Sequence, residues 1–203
     1  MLTIHVAEAS PDLAVAVERN TVVAVGPYEE LTAARPQARV RRWPGILTPG
    51  LLNPYGPELL EQTYHPDPRE AGELGSELLT GAAAQAVFGA DEARRGASAR
   101  RGVQRMLAHG TVAVGGQLRN RAVLDAVRRA GLVMAGRTEP GPGVPALDPW
   151  ATGRPVVWMP RLAVGGPARF AVFDVRNEAE LAESGSATCV ATVIDGRLVY
   201  RRR

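Results

Sequence analysis

The chain changes grammar twice. Runs of β-branched residues broken by tight turns occupy its beginning and its end, and helical periods fill the middle. That division confines the fold to an α/β class with β-rich ends. In the first part, Ala14-Val15-Ala16-Val17-Glu18 and Thr21-Val22-Val23-Ala24-Val25 flank the polar pair Arg19-Asn20, which is a hairpin pattern. Tyr28 to Ala34 reads as a short helix stopped at Pro36, and Ala38 to Trp43 alternates as an edge strand does. Leu47-Thr48-Pro49-Gly50 then breaks the pattern. In the last part, Val156-Val157-Trp158, Ala168 to Asp174 and Ala191 to Ile194 read as strands. Asp195-Gly196 before Arg197-Leu198-Val199-Tyr200 predicts a type I′ hairpin.

In the middle, Leu51-Leu52-Asn53 is a short apolar run, and the stretch from Tyr55 to Pro68 carries three prolines and reads as an irregular loop. Ala71 to Leu79, Gly81 to Phe88 and Ala97 to Ala108 read as helices, the last ended by His109-Gly110. Thr111-Val112-Ala113-Val114 is a buried strand, Arg121 to Ala130 a helix capped by Gly131, and Leu132 to Gly136 a third strand. Helices between short apolar strands predict βαβ units with parallel pairing. Between Thr138 and Pro149 the chain is rich in proline and glycine and reads as a linker.

Composition excludes several classes. Hydrophobic residues at 45% and charged residues at 22% are those of a globular protein, and no apolar run approaches the roughly 20 residues of a membrane span. Met1 to Val6 lacks the basic start and apolar core of a secretory signal, so the expectation is a cytoplasmic protein with no membrane partner. The single Cys189 lies in an apolar, β-branched stretch and is expected to be a small buried residue. All 24 basic residues are arginine and the net charge is +3, yet the arginines occur as scattered pairs interleaved with acids, and aromatic residues make up 5%. That distribution speaks against a nucleic-acid interface. Arg201-Arg202-Arg203 reads as a solvated tail. No G-x-S-x-G nucleophile turn is present, and the glycines of 110–116 follow a helix rather than a strand, unlike a dinucleotide loop.

Taken in order, five segments resemble the amidohydrolase superfamily, in particular its imidazolonepropionase-like and cytosine- or guanine-deaminase-like members. Thr21 to Pro27 is similar to the family's early hairpin, and Gly45-Ile46-Leu47-Thr48-Pro49-Gly50-Leu51-Leu52-Asn53 to the approach to its first barrel strand. Gly102 to Gly116 resembles its helix and second strand. Gly165 to Asp174 and Val190 to Arg201 resemble its closing strands. The resemblance implies a small β-sandwich built from both termini, residues 1–50 and 155–203, around a β/α segment at 51–140, with a linker at 138–154. It also implies an incomplete barrel: about 90 residues run from Leu51 to the linker, against about 250 for a whole (β/α)8 barrel.

The resemblance also implies a His-x-His metal pair just after Asn53, where this sequence has Tyr55 and Pro57. Proline offers no donor atom, and a neutral tyrosine is a poor ligand. The histidines are His5, in the sandwich; His109, at a helix C-terminus; and His65, on the loop after the first strand, where an exposed loop histidine is expected. The leading expectation is a degenerate amidohydrolase-like protein, a pseudoenzyme without metal-dependent catalysis, acting as a binding or accessory subunit and needing no cofactor. Because an incomplete sheet leaves an edge and apolar faces uncovered, a homo-oligomer or a partner protein is expected to cover them. The alternative is a hydrolase or deaminase acting on carbon–nitrogen bonds other than peptide bonds, in a cyclic amide or purine-like substrate. It would use zinc or iron, with Asn53, Tyr55, Glu58, His65 and Asp67 as candidate catalytic residues. A third reading is a small-molecule pocket lined by Tyr55, Tyr64 and Trp150.

Overall fold

A computed structural model describes residues 1–136 and 143–202. Among them, twelve strands form three four-stranded sheets with helices packed between and outside them, a mixed α/β architecture with no closed barrel.

The first sheet contains β1 (Leu2–Ala7), β2 (Ser10–Glu18), β3 (Thr21–Gly26) and β4 (Arg39–Trp43), in the order β3-β2-β1-β4. Helix α1 (Tyr28–Ala34) carries the chain across, so β4 runs parallel to β1. Both faces of β2 are covered, and its alternation shows how. Ala14 and Ala16 pack with Ile4, Val6 and Leu31 under α1, where small side chains let the helix approach. Val15 and Val17 face the other way. They meet a second sheet of β5 (Ile46–Pro49), β10 (Phe170–Phe173), β11 (Cys189–Ile194) and β12 (Arg197–Arg201), ordered β12-β11-β10-β5. Leu47, Phe170, Val172 and Val193 close the core between the two sheets. The β11–β12 turn has Asp195 at φ 49° and Gly196 at φ 73°, the type I′ geometry that the dipeptide predicts. Arg169 holds this turn with a bidentate pair to Asp195, at 2.8 and 3.1 Å.

The third sheet contains β6 (Leu51–Asn53), β7 (Thr111–Gly115) and β8 (Val133–Ala135), mutually parallel, with β9 (Val157–Trp158) antiparallel on β6. Between β6 and β7 lie α2 (Gly56–Leu60), a 3-10 turn (Pro68–Glu70), α3 (Ala71–Leu74), α4 (Gly81–Phe88) and α5 (Glu92–Leu107). Helix α6 (Arg121–Ala130) joins β7 to β8. Val103, Met106 and Leu107 of α5 and Val123 and Val127 of α6 pack on Val112 and Val114. Helix α6 runs from the side-chain cap of Asn120 to Gly131 at φ 81°, a left-handed C-cap. Helix α7 (Glu178–Ser184) joins β10 to β11. Leu51, Ala171, Phe173, Leu181 and Cys189 form the core between the second and third sheets.

Several elements differ from expectation. Ile46–Pro49 is a strand, because β10 supplies its ladder. The Tyr55–Pro68 stretch contains α2, since Pro57 in a first helical turn loses no hydrogen bond. Helix α3 ends at Leu74, stopped by Gly75 at φ 74°. Helix α5 begins at Glu92, five residues before Ala97, because Asp91 caps it by accepting from the Arg94 N–H at 3.0 Å. The third parallel strand covers only Val133–Ala135, and Val156 lies outside β9. Of the predicted linker, 137–142 lies outside the described residues. The remainder ends in a 3-10 turn (Pro149–Thr152) whose Pro149 and Thr152 are buried. Arg201 belongs to β12 rather than to a tail, its guanidinium 5.9 Å from the Trp43 ring centre, and Arg203 lies outside the described residues. Among the described residues no helix is long and apolar enough to cross a membrane.

Candidate functional site

In open α/β sheets, sites form at the carboxyl ends of the parallel strands. Here the Asn53 side of that end of β6 is covered by the chain itself. Asn53, the last residue of β6, has no exposed surface. Its Nδ2 donates to the Ala146 carbonyl at 2.8 Å and the Leu147 carbonyl at 3.4 Å, and its Oδ1 accepts from the Tyr55 N–H at 3.0 Å. The last contact is an Asx turn that steers the chain from strand into helix. Gly56 then passes so near β7 that a Cβ there would lie 2.6 Å from the Gly115 carbonyl, and the Pro57 ring lies against Gly116. The first turn of α2 thus covers the Asn53 side of the strand ends, while a pocket of about 250 Å3 opens beside Pro54 and Gly115, lined also by Leu52, Gly136, Arg154 and Val157.

The remaining predicted residues do not converge. Tyr55 is buried in the core with Leu59, Val114 and Leu118, and its hydroxyl has no hydrogen-bond partner among the described residues. Glu58 is half-buried on α2, where its carbonyl accepts from the Thr63 hydroxyl at 2.8 Å. His65 is completely buried rather than an exposed loop residue. Its Nε2 lies 2.7 Å from the Leu59 carbonyl and must carry the proton, which leaves Nδ1 bare and, among the described residues, without a partner. Burial, then the nearby Arg105 and Arg101 cations, lower its pKa to about 4. Asp67 accepts from the Arg69 N–H at 3.0 Å in a capping box with Glu70, and pairs with Arg101 at 3.4 Å. Beside it the Tyr64 hydroxyl donates to Glu70 at 2.5 Å, and burial together with that acceptor raises the tyrosine pKa.

The pocket expected from Tyr55, Tyr64 and Trp150 does not form, because the three belong to separate cores. Tyr64 meets Phe88 edge-on at 5.4 Å, and Trp150 meets Trp158 at 5.8 Å and Phe173 at 6.3 Å. The other histidines are dispersed. His5 accepts from Trp43 Nε1 at 3.2 Å with Phe170 edge-on at 4.9 Å, and burial lowers its pKa to about 4. His109 Nδ1 lies 2.8 Å from the Ser186 hydroxyl, with its pKa lowered by burial against the opposing charge of Asp148. Among the described residues no three His, Cys, Asp or Glu side chains come together as a metal would require. Tyr55 and Pro57 do not fit the metal that the motifs imply: one offers an oxygen sealed in an apolar core, the other offers nothing. Cys189 is buried, its thiol pushed up to about 11 by desolvation.

Two features were missed by sequence reasoning. One is a groove of about 550 Å3 beside the arginines of α5, whose signal was the helical spacing of Arg100, Arg101, Gln104 and Arg105. The other is a cavity of about 560 Å3 where the three sheets meet, lined by Leu13, Val25, Leu47, Trp158 and Met159. Its residues are scattered along the chain and carry no local signal.

No protein-family model and no curated protein matches the chain. Among solved structures it is similar to a guanine deaminase from Bradyrhizobium japonicum, at 16% identity and a TM-score of 0.41, covering 61% of this chain and 27% of that one. It is similar to N-isopropylammelide isopropylaminohydrolase from Burkholderia multivorans, at 19% identity and a TM-score of 0.43, covering 71% of this chain and 39% of that one. It is also similar to a zinc-bound adenosine deaminase from Xanthomonas campestris, at 20% identity and a TM-score of 0.42, covering 66% and 32%. The chain spans between about a quarter and two fifths of the length of these deaminases and hydrolases.

Proposed function

We propose that this chain is an amidohydrolase-like binding or accessory subunit that does not itself perform metal-dependent catalysis. One observation carries the reading: at the carboxyl end of β6 the Asn53 side is covered by the 146–147 backbone and the first turn of α2, and the space of about 250 Å3 that remains beside it is lined by Leu52, Pro54, Gly115, Gly136, Pro155 and Val157 with Arg154, a lining without a carboxylate, imidazole or thiol. A reacting substrate needs several convergent polar groups there. The polar atoms of Asn53 are committed to backbone, and Tyr55 lies in apolar packing.

An accessory role calls for a partner, and the third sheet offers the surface. Its edge strand β8 exposes Met134, and β9 at the opposite edge exposes Val157 and Trp158. Exposed apolar residues on unpaired edges favour a second copy or another protein there.

The test is elemental analysis of the protein purified from zinc- and iron-supplemented culture, together with hydrolysis and deamination assays on cyclic amides and purines. The expected result is metal far below one ion per chain and no turnover. One ion per chain, lost together with turnover in Asn53→Ala and His65→Gln variants, would instead make the protein a hydrolase or deaminase acting on carbon–nitrogen bonds. Light scattering tests the partner surface, where a monomer at micromolar concentration in the absence of other proteins would exclude self-association.

A further inference from the structure

The outer face of α5 carries charge that the strand-end region does not use. Positions 97, 100, 101, 104 and 105 form one continuous strip, opposite the buried strip of Ala99, Gly102, Val103 and Met106. Across from it runs Pro66-Asp67-Pro68, whose proline rings stiffen the rim, and a groove of about 550 Å3 lies between. Ala97 leaves the floor open.

The three guanidinium groups in the groove are not equivalent. Arg101 is tied down: its Nε donates to the His65 carbonyl at 2.7 Å, and its other nitrogens lie 3.4 Å from Asp67 and from the Tyr64 hydroxyl. Arg100 and Arg105 make no hydrogen bond or ion pair among the described residues, although Arg105 is half-buried. A partly desolvated guanidinium without a counter-charge has lost hydration and gained nothing in return. The acid of the groove, Asp67, is already engaged by Arg101 and by the Arg69 N–H. Arg105 also lies near enough to His65 to oppose its protonation, which places this cation at the inner wall.

We propose that this groove binds a small phosphate-bearing anion through Arg100 and Arg105, with the Gln104 amide beside them. The planar guanidinium forks match phosphate oxygens in pairs, and two free cations suit a dianion. No aromatic side chain lines the groove, so it offers no stacking platform for nucleic-acid bases. The site stands apart from the end of β6 and does not depend on the reading of that region.

The experiment is calorimetric titration of the full chain with inorganic phosphate and with glycerol phosphate, at an ionic strength of about 150 mM. Wild type is compared with R100Q/R105Q and with R128Q/R129Q, which removes the same charge from the exposed last turn of α6. Glutamine is a good helix former, and unchanged circular dichroism verifies that α5 persists. Wild type and R128Q/R129Q are expected to bind alike and R100Q/R105Q to bind about tenfold more weakly or worse, with R105K between them. Tighter binding of the ester assigns a phosphorylated small molecule, and tighter binding of phosphate assigns the free ion. Equal weakening in both double variants, no binding of either probe to wild type, or binding of a single-stranded oligonucleotide alone would each overturn the proposal.

Discussion

Replacing Asn53 by alanine tests the packing on which the functional reading stands. The side chain makes three contacts, and its loss strands one buried N–H and two carbonyls of half-buried residues. The Tyr55 N–H is buried, so losing its acceptor costs about 1–3 kcal/mol. The Ala146 and Leu147 carbonyls belong to half-buried residues and share the single Asn53 amide nitrogen, so their part is nearer ~0.5–1.5 kcal/mol. Together the cost is roughly 2–4 kcal/mol, and at about 2–4 °C per kcal/mol for a chain of this size the Tm falls by roughly 5–15 °C. Asn53→Asp adds a sign. Its ionised carboxylate still accepts from Tyr55 N–H but repels the Ala146 carbonyl, and it is buried, so its folded pKa rises above the unfolded value of about 4. Its stability relative to wild type is therefore highest below about pH 4, where the protonated acid donates to Ala146, and declines as the pH rises. Differential scanning calorimetry with urea unfolding at pH 4 and pH 7 measures both effects. An alanine variant within about 0.5 kcal/mol of wild type, or an aspartate variant insensitive to pH, refutes the account of the covered strand end.

Stability should fall as the pH drops from 6.5 towards 4, because His5 and His65 stay neutral in the fold while the unfolded chain takes up protons. The slope is about 1.4 kcal/mol per pH unit for each, His109 contributes with the same sign, and a flat urea-midpoint profile, or one that His65→Gln leaves unchanged, contradicts it. Gly102→Ala places a Cβ 2.6 Å from His65 Nε2 and 2.8 Å from Leu60 Cδ2, so overpacking of about 1–3 kcal/mol exceeds or matches the ~1 kcal/mol gained in helix propensity. A raised Tm would show that His65 is free to move. The buried Cys189 thiol, with its pKa near 11, should react with a disulfide reagent only as fast as the protein opens, and rapid labelling of native protein would argue for a looser second sheet.

Local chemistry made much of the fold legible. The β11–β12 turn follows from Asp195-Gly196, and α6 from its apolar spacing and Gly131, because each signal lies in or directly beside the element that it specifies. Where local signals compete, the reading failed. Gly56-Pro57 looks like a breaker and instead starts α2. Asn177, which caps α7 by accepting from the Glu180 N–H at 2.9 Å, is a start signal of the same local kind. The placement of His65 could not be read at all. It is buried because Gly102 and Ser98, more than thirty residues away, make room for it, the serine hydroxyl accepting from its N–H at 2.9 Å. Candidate residues near one another in sequence were therefore a poor guide to residues near one another in space.

Four distant parts of the chain meet on the three residues of β6. Leu51 faces Phe173 in the core below the second sheet, Leu52 pairs with Val157 of β9 and Ala113 of β7, and Asn53 holds 146–147. The segment that composition marks as a linker therefore acts as a structural partner of the strand end. A site on the Asn53 side of this strand end would have to displace that segment, stranding the Asn53 amide and uncovering Tyr55 at the same moment. Its opening would cost at least the roughly 2–4 kcal/mol estimated for the alanine variant, a population below about one molecule in thirty. A ligand preferring the open form must supply that difference, so the Asn53→Ala variant, already relieved of it, should bind such a ligand more tightly than wild type. No gain for any cyclic amide or purine that binds would place that ligand elsewhere, with the junction cavity around Trp158 as the next candidate.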